Sequence, residues 1–291
     1  PVIEPIPLVA IGNEPLVPLN DLLRGEVTQH TEVRLGIPTY ENQVMDTPTI
    51  SGNQPEPTIF HVTHYKAGSQ WVYAIMAAVA PKRVIKPQPG VKHVLDEPIE
   101  QGKIYPTVYL RQEVFDTLKI PGTYRRFIII RDLRDTLISL YFSHRYSHGK
   151  TSDAITSSRD ILNSLNIRDG LIWLMENRLK VSADILQSWL GTNDLLIKYE
   201  HLLEDEYGMF ERIIDYCEID VSKEKLSSAV KSASFENITH RDKGEENVHA
   251  HQRKAIAGDW RNYFDEELKV KFKKKYGELL VASEYEKDFS W

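Results

Sequence analysis

The stretch from Thr63 to Trp71 (THYKAGSQW) separates an extended apolar segment from a helix-forming one. Residues 59–63 are mainly β-branched or aromatic, which predicts a buried strand, and residues 71–80 (WVYAIMAAVA) predict a helix that ends before a proline. The turn therefore places the free N–H groups and the positive end of a helix beside Lys66, and Gly68 allows close approach of the backbone. This arrangement is typical of a phosphate site. An ordinary strand-to-helix turn with a solvated lysine is the alternative interpretation of this segment alone.

Two later segments also carry cations next to predicted secondary structure. Residues 125–130 (RRFIII) end in an apolar run that is typical of a buried parallel strand, and Arg131 follows at its carboxyl end. Ser139 lies about two turns along the helix predicted after that strand. Further on, Arg253 and Lys254 precede a glycine and another helix, and an anion is the natural partner of adjacent cations. Together the segments predict an anion site at the carboxyl edge of a parallel sheet.

In this order the three segments resemble the motifs of sulfotransferases that use 3′-phosphoadenosine 5′-phosphosulfate (PAPS). The 5′-phosphosulfate loop of that family reads roughly T-Y-P-K-S-G-T-T-W and is matched here at Thr63, Lys66, Gly68 and Trp71. The 3′-phosphate motif, R-x-x-x-x-x-x-x-S, is matched at Arg131, Arg134, Asp135 and Ser139. The third signature, R-K-G-x-x-G-D-W-[KR]-N-x-F, is matched at Arg253, Lys254, Gly258, Asp259, Trp260, Arg261, Asn262 and Phe264.

The resemblance implies an α/β fold in which a central parallel sheet is flanked by helices, as in P-loop NTPases. It also implies PAPS as donor, 3′-phosphoadenosine 5′-phosphate (PAP) as product, and no required metal. The cofactor contacts that it implies are Lys66, Ala67, Gly68, Ser69, Gln70, Trp71, Arg131, Ser139, Tyr199, Phe235, Arg253 and Lys254. The sequence departs from the family pattern at Ala67, Gln70 and Ala255, so two hydroxyls and one glycine are missing. Core packing is the alternative role for each aromatic residue.

Catalysis of sulfuryl transfer depends mainly on positioning and on stabilising charge at the bridging oxygen, the role implied for Lys66. The family's general-base histidine is replaced by Tyr109, which would need a cation such as Arg111 to lower its pKa from about 10. His251 is the preferred base, because it lies just before Arg253 in a polar segment that is expected to cover the cofactor. The other candidates are Glu113, His240 and His249.

Composition sets outer limits on the function. A net charge of −6 argues against a general nucleic-acid surface, and no apolar run is long enough for a membrane span. A single cysteine, Cys217, is consistent with a reducing compartment, and we expect a cytoplasmic location.

The proline-rich residues 1–57 predict an extended segment or linker, and alternating strand and helix patterns predict one domain over 58–291, which includes a long helix over 169–190. The sequence lacks an initiator methionine, which leaves open a processed or trimmed chain and a part of a larger multidomain protein.

The resemblance implies a sulfotransferase that modifies a hydroxyl on a small alcohol, lipid, sugar or carrier-bound acyl chain. A P-loop-type kinase is one alternative, but it requires a second glycine and a Ser or Thr after the lysine, where this chain has Ala67. A catalytically inactive nucleotide-binding module is the other, because the usual histidine is absent. Dependence on Mg²⁺ would separate the first two activities.

Overall fold

The computed structural model describes residues 55–87, 95, 97–149 and 153–291. These residues belong to the unit from Pro55 to Trp291. The extended segment expected over residues 1–57 lies outside the described residues except for its last three, and the domain boundary at residue 58 stays a prediction.

The described residues contain a sheet of four parallel strands. The strands are β1 (Thr58–Thr63), β2 (Ile104–Val108), β3 (Tyr124–Ile130) and β4 (Leu195–Lys198). All of β1 and the last four residues of β3 are buried, because both faces of the sheet are covered. The parallel α/β architecture is the one expected from the sequence.

The strand order β2-β1-β3-β4 determines where a ligand can bind. From β1 the chain passes to β2 on one side and then returns to β3 on the other side. In an open α/β sheet such a reversal leaves a crevice beyond the carboxyl ends of the two central strands. The segments that begin at His64 and Arg131 follow β1 and β3, so both open into this crevice.

Helices cover both faces of the sheet. Their bounds are α1 Ser69–Val79, α2 Gln112–Phe115, α3 Leu133–Phe142, α4 Asp153–Ser164, α5 Ile167–Asn177, α6 Leu179–Trp189, α7 Tyr199–Glu204, α8 Glu206–Tyr216, α9 Lys223–Ser232, α10 Phe235–Thr239 and α11 Glu266–Ala282. A π-helical turn, Ser143–Ser147, extends α3, and a 3₁₀ turn covers Asp259–Asn262. The prediction of one long helix over 169–190 is wrong. The segment forms two helices, α5 and α6, separated at Arg178, whose backbone angles (φ −131°, ψ −34°) are not helical. The apolar pattern continues across the break and therefore does not reveal it.

Alternate residues of the strands feed two hydrophobic clusters, one on each face of the sheet. In β3, Ile128 and Ile130 pack with Phe60, Trp189 and other residues of the first cluster. The intervening residues of β3 belong to the second cluster, which contains Phe127, Ile129, Val72, Ile75 and Phe210. The sheet is thus held rigidly from both sides, which fixes its carboxyl edge. None of the described helices is both long and apolar enough to cross a lipid bilayer.

Arg134 stabilises the fold at the start of α3. Its guanidinium pairs with the carboxylates of Asp132 and Glu286 and lies 4.0 Å from the ring centroid of Trp260 and 4.3 Å from that of Trp291. The side chain is only 2% exposed. A residue of the second motif is therefore committed to packing and leaves ligand contact to its neighbours.

Replacing Arg134 by methionine should lower the free energy of unfolding by about 3–5 kcal/mol, because two carboxylates lose their buried partner. Urea denaturation followed by circular dichroism measures the change. Arg125→Met is the matched control, since Arg125 pairs with Glu218 at an exposed site and its loss should cost about 1 kcal/mol or less. Equal losses in the two variants would contradict this role of Arg134.

Candidate functional site

A cleft of about 290 Å³ opens beyond the carboxyl ends of β1 and β3. The residues predicted from sequence that line it are Lys66, Gly68, Ser69, Gln70, Trp71, Tyr109, Arg131, Ser139, Tyr199, Phe235, His251, Arg253 and Lys254. Ala67 is the exception among the predicted contacts: its side chain is fully buried and does not line the cleft. Six stretches that are separated in sequence therefore meet in one place.

The turn after β1 presents an uncapped helix to this cleft. Gly68 is the N-cap of α1, adopts a left-handed conformation (φ 89°) and supplies no side-chain cap to the first-turn N–H groups. A Cβ atom at Gly68 would lie 2.9 Å from Cε2 of Tyr199, so a larger residue does not fit. Lys66 also has a positive φ, 67°, which is uncommon for a residue with a side chain. This backbone exposes several N–H donors beside the lysine.

Lys66 is a partly buried cation with one hydroxyl partner. Its Nζ donates to Oγ of Ser143 at 3.2 Å. Burial, with the charge of Arg131 as a second cause, lowers the pKa of Lys66 to about 8. The ammonium group is thus still mostly protonated at neutral pH, but it is poorly solvated and well placed to meet a negative charge.

Arg131 joins the first two segments. Its Nη1 donates to the carbonyl of Lys66 at 2.9 Å, and its guanidinium lies 4.6 Å from the ring centroid of Tyr199. Within the described part of the chain, the buried Nε of Arg131 has no hydrogen-bond partner. The guanidinium therefore has a donor to offer a ligand.

The third segment is fixed against the second by a carboxylate. Asp135, in the first turn of α3, accepts hydrogen bonds from the N–H groups of Gly258 (2.6 Å) and Trp260 (2.9 Å). Next to this turn, Asp259 accepts from both Arg253 and Lys254, the latter at 2.8 Å. The two cations are thus held at the rim of the cleft by a neighbouring acid.

The aromatic residues border the same cleft. The Trp71 ring packs edge-on against Tyr199, with 6.3 Å between centroids, and its indole N–H is buried with no partner among the described residues. Phe235 is the first residue of α10, and the guanidinium of Arg241 lies 4.9 Å from the centroid of its ring. Stacking of adenine on Trp71 and Phe235 stays a prediction.

The hypothesis that Arg111 lowers the pKa of Tyr109 is wrong. Burial raises the pKa of the Tyr109 phenol to about 12, and its hydroxyl lies 2.9 Å from Oγ of Ser69. Arg111 instead pairs with Glu113 at 3.3 Å. Tyr109 is therefore protonated at neutral pH and can donate a hydrogen bond.

Among the histidines predicted as bases, His251 lines the cleft, whereas His240 and His249 are absent from the lining, as is Glu113. The charge of Lys66, followed by burial and the charge of His148, lowers the pKa of His251 to about 4. His251 is thus neutral at pH 7, which is the protonation state that a general base requires.

Sequence reasoning missed His148 and Ser143. His148 lines the cleft and Ser143 holds Lys66, yet both lie beyond the motif serine, where the helix becomes a π-helix. The π-helical turn changes the period, so an α-helical pattern does not predict which residues face the site. The polar run from Ser143 to His148, after an apolar helix, was the available signal.

No group of three or more His, Cys, Asp or Glu side chains within the described ranges is arranged to hold a metal ion.

Comparisons with known proteins agree on one family. A family model described as the sulfotransferase domain matches residues 124–284, more than half of the chain, and so includes the second and third motifs but not the turn after β1. Sulfotransferase 2B1 of Mus musculus is 22% identical over 88% of this chain and 81% of its own length. The same protein of Rattus norvegicus is 22% identical over 90% of this chain and 82% of its own length. The crystal structure of mouse sulfotransferase SULT7A1 complexed with PAP aligns with a TM-score of 0.56 and 20% identity, covering 81% of this chain and 91% of that one, which shows a shared fold.

Proposed function

This chain belongs to the sulfotransferase family, and from that premise we propose that its cleft binds PAPS and catalyses transfer of the sulfuryl group to a hydroxyl. The observation that carries the proposal is the convergence of Lys66, Arg131, Ser139, Arg253 and Lys254 on one cleft at the switch point of the sheet.

The residues of the cleft fit a ligand with phosphates at two positions. Phosphate oxygens only accept hydrogen bonds, and among the described residues the cleft offers donors without partners, such as Nε of Arg131 and the backbone N–H groups of Ser69 and Gln70 at the start of α1. We assign the 5′-phosphate to the turn from Lys66 to Trp71. Arg131, Ser139, Arg253 and Lys254 are assigned to the 3′-phosphate. The indole N–H of Trp71 and the ring of Phe235 are assigned to the adenine.

Bound PAPS supplies an activated sulfuryl group and a phosphate leaving group. Lys66 then stabilises the negative charge that grows on the bridging oxygen, since its ammonium is partly desolvated and lies in the turn that holds the 5′-phosphate.

His251 takes the proton of the acceptor hydroxyl. Its imidazole is neutral because Lys66 is close, so the base and the cation that stabilises the leaving group belong to one cluster. Tyr109 is reassigned from base to hydrogen-bond donor, because its phenol stays protonated.

The kinase alternative is not favoured. The family match points to sulfuryl transfer, and Ala67 stands where a P-loop kinase places a Mg²⁺-binding hydroxyl. We therefore propose transfer without a metal. An inactive module would need a defective cleft, whereas here each cationic motif reaches the site.

The acceptor is proposed to be a hydroxyl on a small molecule or on a carrier-bound chain, with the latter requiring a larger multidomain protein. A cytoplasmic location is proposed from the single cysteine, Cys217, which is a buried free thiol.

Calorimetry should show that PAP binds at least about 100-fold more tightly than AMP, because AMP lacks the 3′-phosphate and each charge-assisted hydrogen bond contributes roughly 1.5–3 kcal/mol. Arg125→Met, a loss of positive charge outside the cleft lining, is the control and should leave both affinities unchanged. Equal affinities for PAP and AMP would refute the assignment. Release of PAP from PAPS, dependent on an added hydroxyl compound, then tests transfer.

A further inference from the structure

The imidazole of His64 lies fully buried immediately after β1 and uses both of its nitrogens. Nε2 accepts a hydrogen bond from the backbone N–H of Arg131 at 2.9 Å. Nδ1 lies 3.0 Å from the carbonyl oxygen of Tyr65. A carbonyl cannot donate and a backbone N–H cannot accept, so the proton must lie on Nδ1 and the lone pair on Nε2.

This side chain continues the pairing of β1 and β3 beyond the end of the backbone ladder. The last paired residues of these strands are Thr63 and Ile129. Beyond these residues the two strands continue into separate ligand-binding turns, and the side chain of His64 connects the turn after β1 with the turn after β3. A second hydrogen bond also links the two turns, because Nη1 of the Arg131 side chain donates to the carbonyl of Lys66.

Burial favours the neutral ring. It is the main cause that lowers the pKa of His64 to about 4, with the charge of Arg131 acting in the same direction. The single tautomer required by the two hydrogen bonds is therefore the form present at neutral pH.

We propose that His64 is a positioning residue that sets the separation of Lys66 and Arg131, and hence of the groups that hold the two ends of the donor. The inference rests on the proposed function, because the two residues matter together only if one ligand spans them. A tyrosine occupies the corresponding place in the family pattern T-Y-P-K, so this bridge belongs to the chain's own sequence. Shifts of about 1 Å at such sites reduce turnover on the order of 10²-fold.

Two amide substitutions test the two hydrogen bonds of the His64 ring separately. The amide of a glutamine reaches about as far as Nε2, so His64→Gln can still accept from Arg131. The amide of an asparagine reaches about as far as Nδ1, so His64→Asn keeps only the bond to Tyr65. We expect His64→Asn to weaken PAP binding about 10-fold and to lower kcat/KM on the order of 10²-fold, and His64→Gln to stay within a few-fold of wild type.

His61→Phe is the control for loss of a buried histidine. His61 lies in β1, is also fully buried, and its Nδ1 lies 2.6 Å from the carbonyl of Pro106, away from the cleft lining. The His61→Phe variant should have a lower melting temperature, but its folded molecules should bind PAP as tightly as the wild-type protein.

Equal losses in His64→Asn and His64→Gln, or wild-type affinity in His64→Asn, would overturn the bridge. Absence of PAP binding by the wild-type protein would instead refute the proposed function. Nitrogen-15 NMR of the wild-type protein tests the bridge without any variant: a His64 protonated on Nε2 at neutral pH would exclude it.

Discussion

Replacement of Lys66 by methionine is expected to lower kcat on the order of 10²–10³-fold while PAP affinity changes only a few-fold. The lysine acts on charge that develops in the transition state, and its loss therefore removes stabilisation that the bound product does not show. Methionine keeps most of the buried stem, so the packing around Nζ is conserved. Steady-state kinetics with PAPS measures kcat, and calorimetry with PAP measures its dissociation constant.

Arg131→Met is the contrasting variant. Arg131 is assigned to the 3′-phosphate, so its loss should weaken PAP binding about 10-fold or more and affect kcat less. If Lys66→Met loses only affinity, Lys66 is a simple phosphate ligand and its role at the leaving group is wrong.

The pH profile gives an independent check on Lys66. Because burial and the charge of Arg131 lower its pKa to about 8, the ammonium is present at neutral pH and is lost as the pH rises through that value. The kcat/KM of the wild-type enzyme should therefore fall on the alkaline side near pH 8, well below the pKa of an ordinary lysine. Lys66→Met should lack this limb.

Replacement of His251 by alanine should reduce kcat roughly 10²–10⁴-fold, the range typical of a general base. Tyr109→Phe should cost little, since the phenol of Tyr109 stays protonated and only its hydrogen bond with Ser69 is lost. Near wild-type turnover in His251→Ala together with an inactive Tyr109→Phe would instead identify Tyr109, which directly follows β2, as the base.

The acid limb of the profile should identify the same residue. Protonation inactivates a base, so activity falls as the pH drops through its pKa, and the value for His251 is about 4 because of Lys66 and burial. We therefore expect full activity at pH 6, where an ordinary histidine would be largely protonated. His249→Ala is the matched control, since His249 does not line the cleft.

The sequence was sufficient to predict the sheet and the convergence of its motifs. Residues such as Lys66 and Arg131 follow apolar runs, and the carboxyl ends of neighbouring parallel strands lie on one edge. The order of strands needed the structure, because it depends on which apolar strands pack together. The sequence also left the break at Arg178 hidden, since the backbone changes there while the apolar pattern continues.

The finer properties of the site depend on spatial neighbours that the sequence does not reveal. The pKa of Tyr109 follows from burial, and the nearest cation in sequence, Arg111, is paired elsewhere. Likewise, Asp259 matches the third motif in sequence, and only the structure shows it to be the counter-ion of Arg253 and Lys254. Such properties arise from packing rather than from local pattern.

The hydrogen bonds from Gly258 and Trp260 to Asp135 join parts of the chain that are synthesised far apart in time. Before Gly258 has been synthesised, the Asp135 carboxylate lacks these donors and the segment with Arg253 and Lys254 cannot be fixed beside the cleft. We therefore expect tight nucleotide binding only after the segment up to Trp260 has packed against Asp135. Ligand present in the cell would then select the finished form, with a gain in stability that grows as RT ln(1 + [L]/Kd).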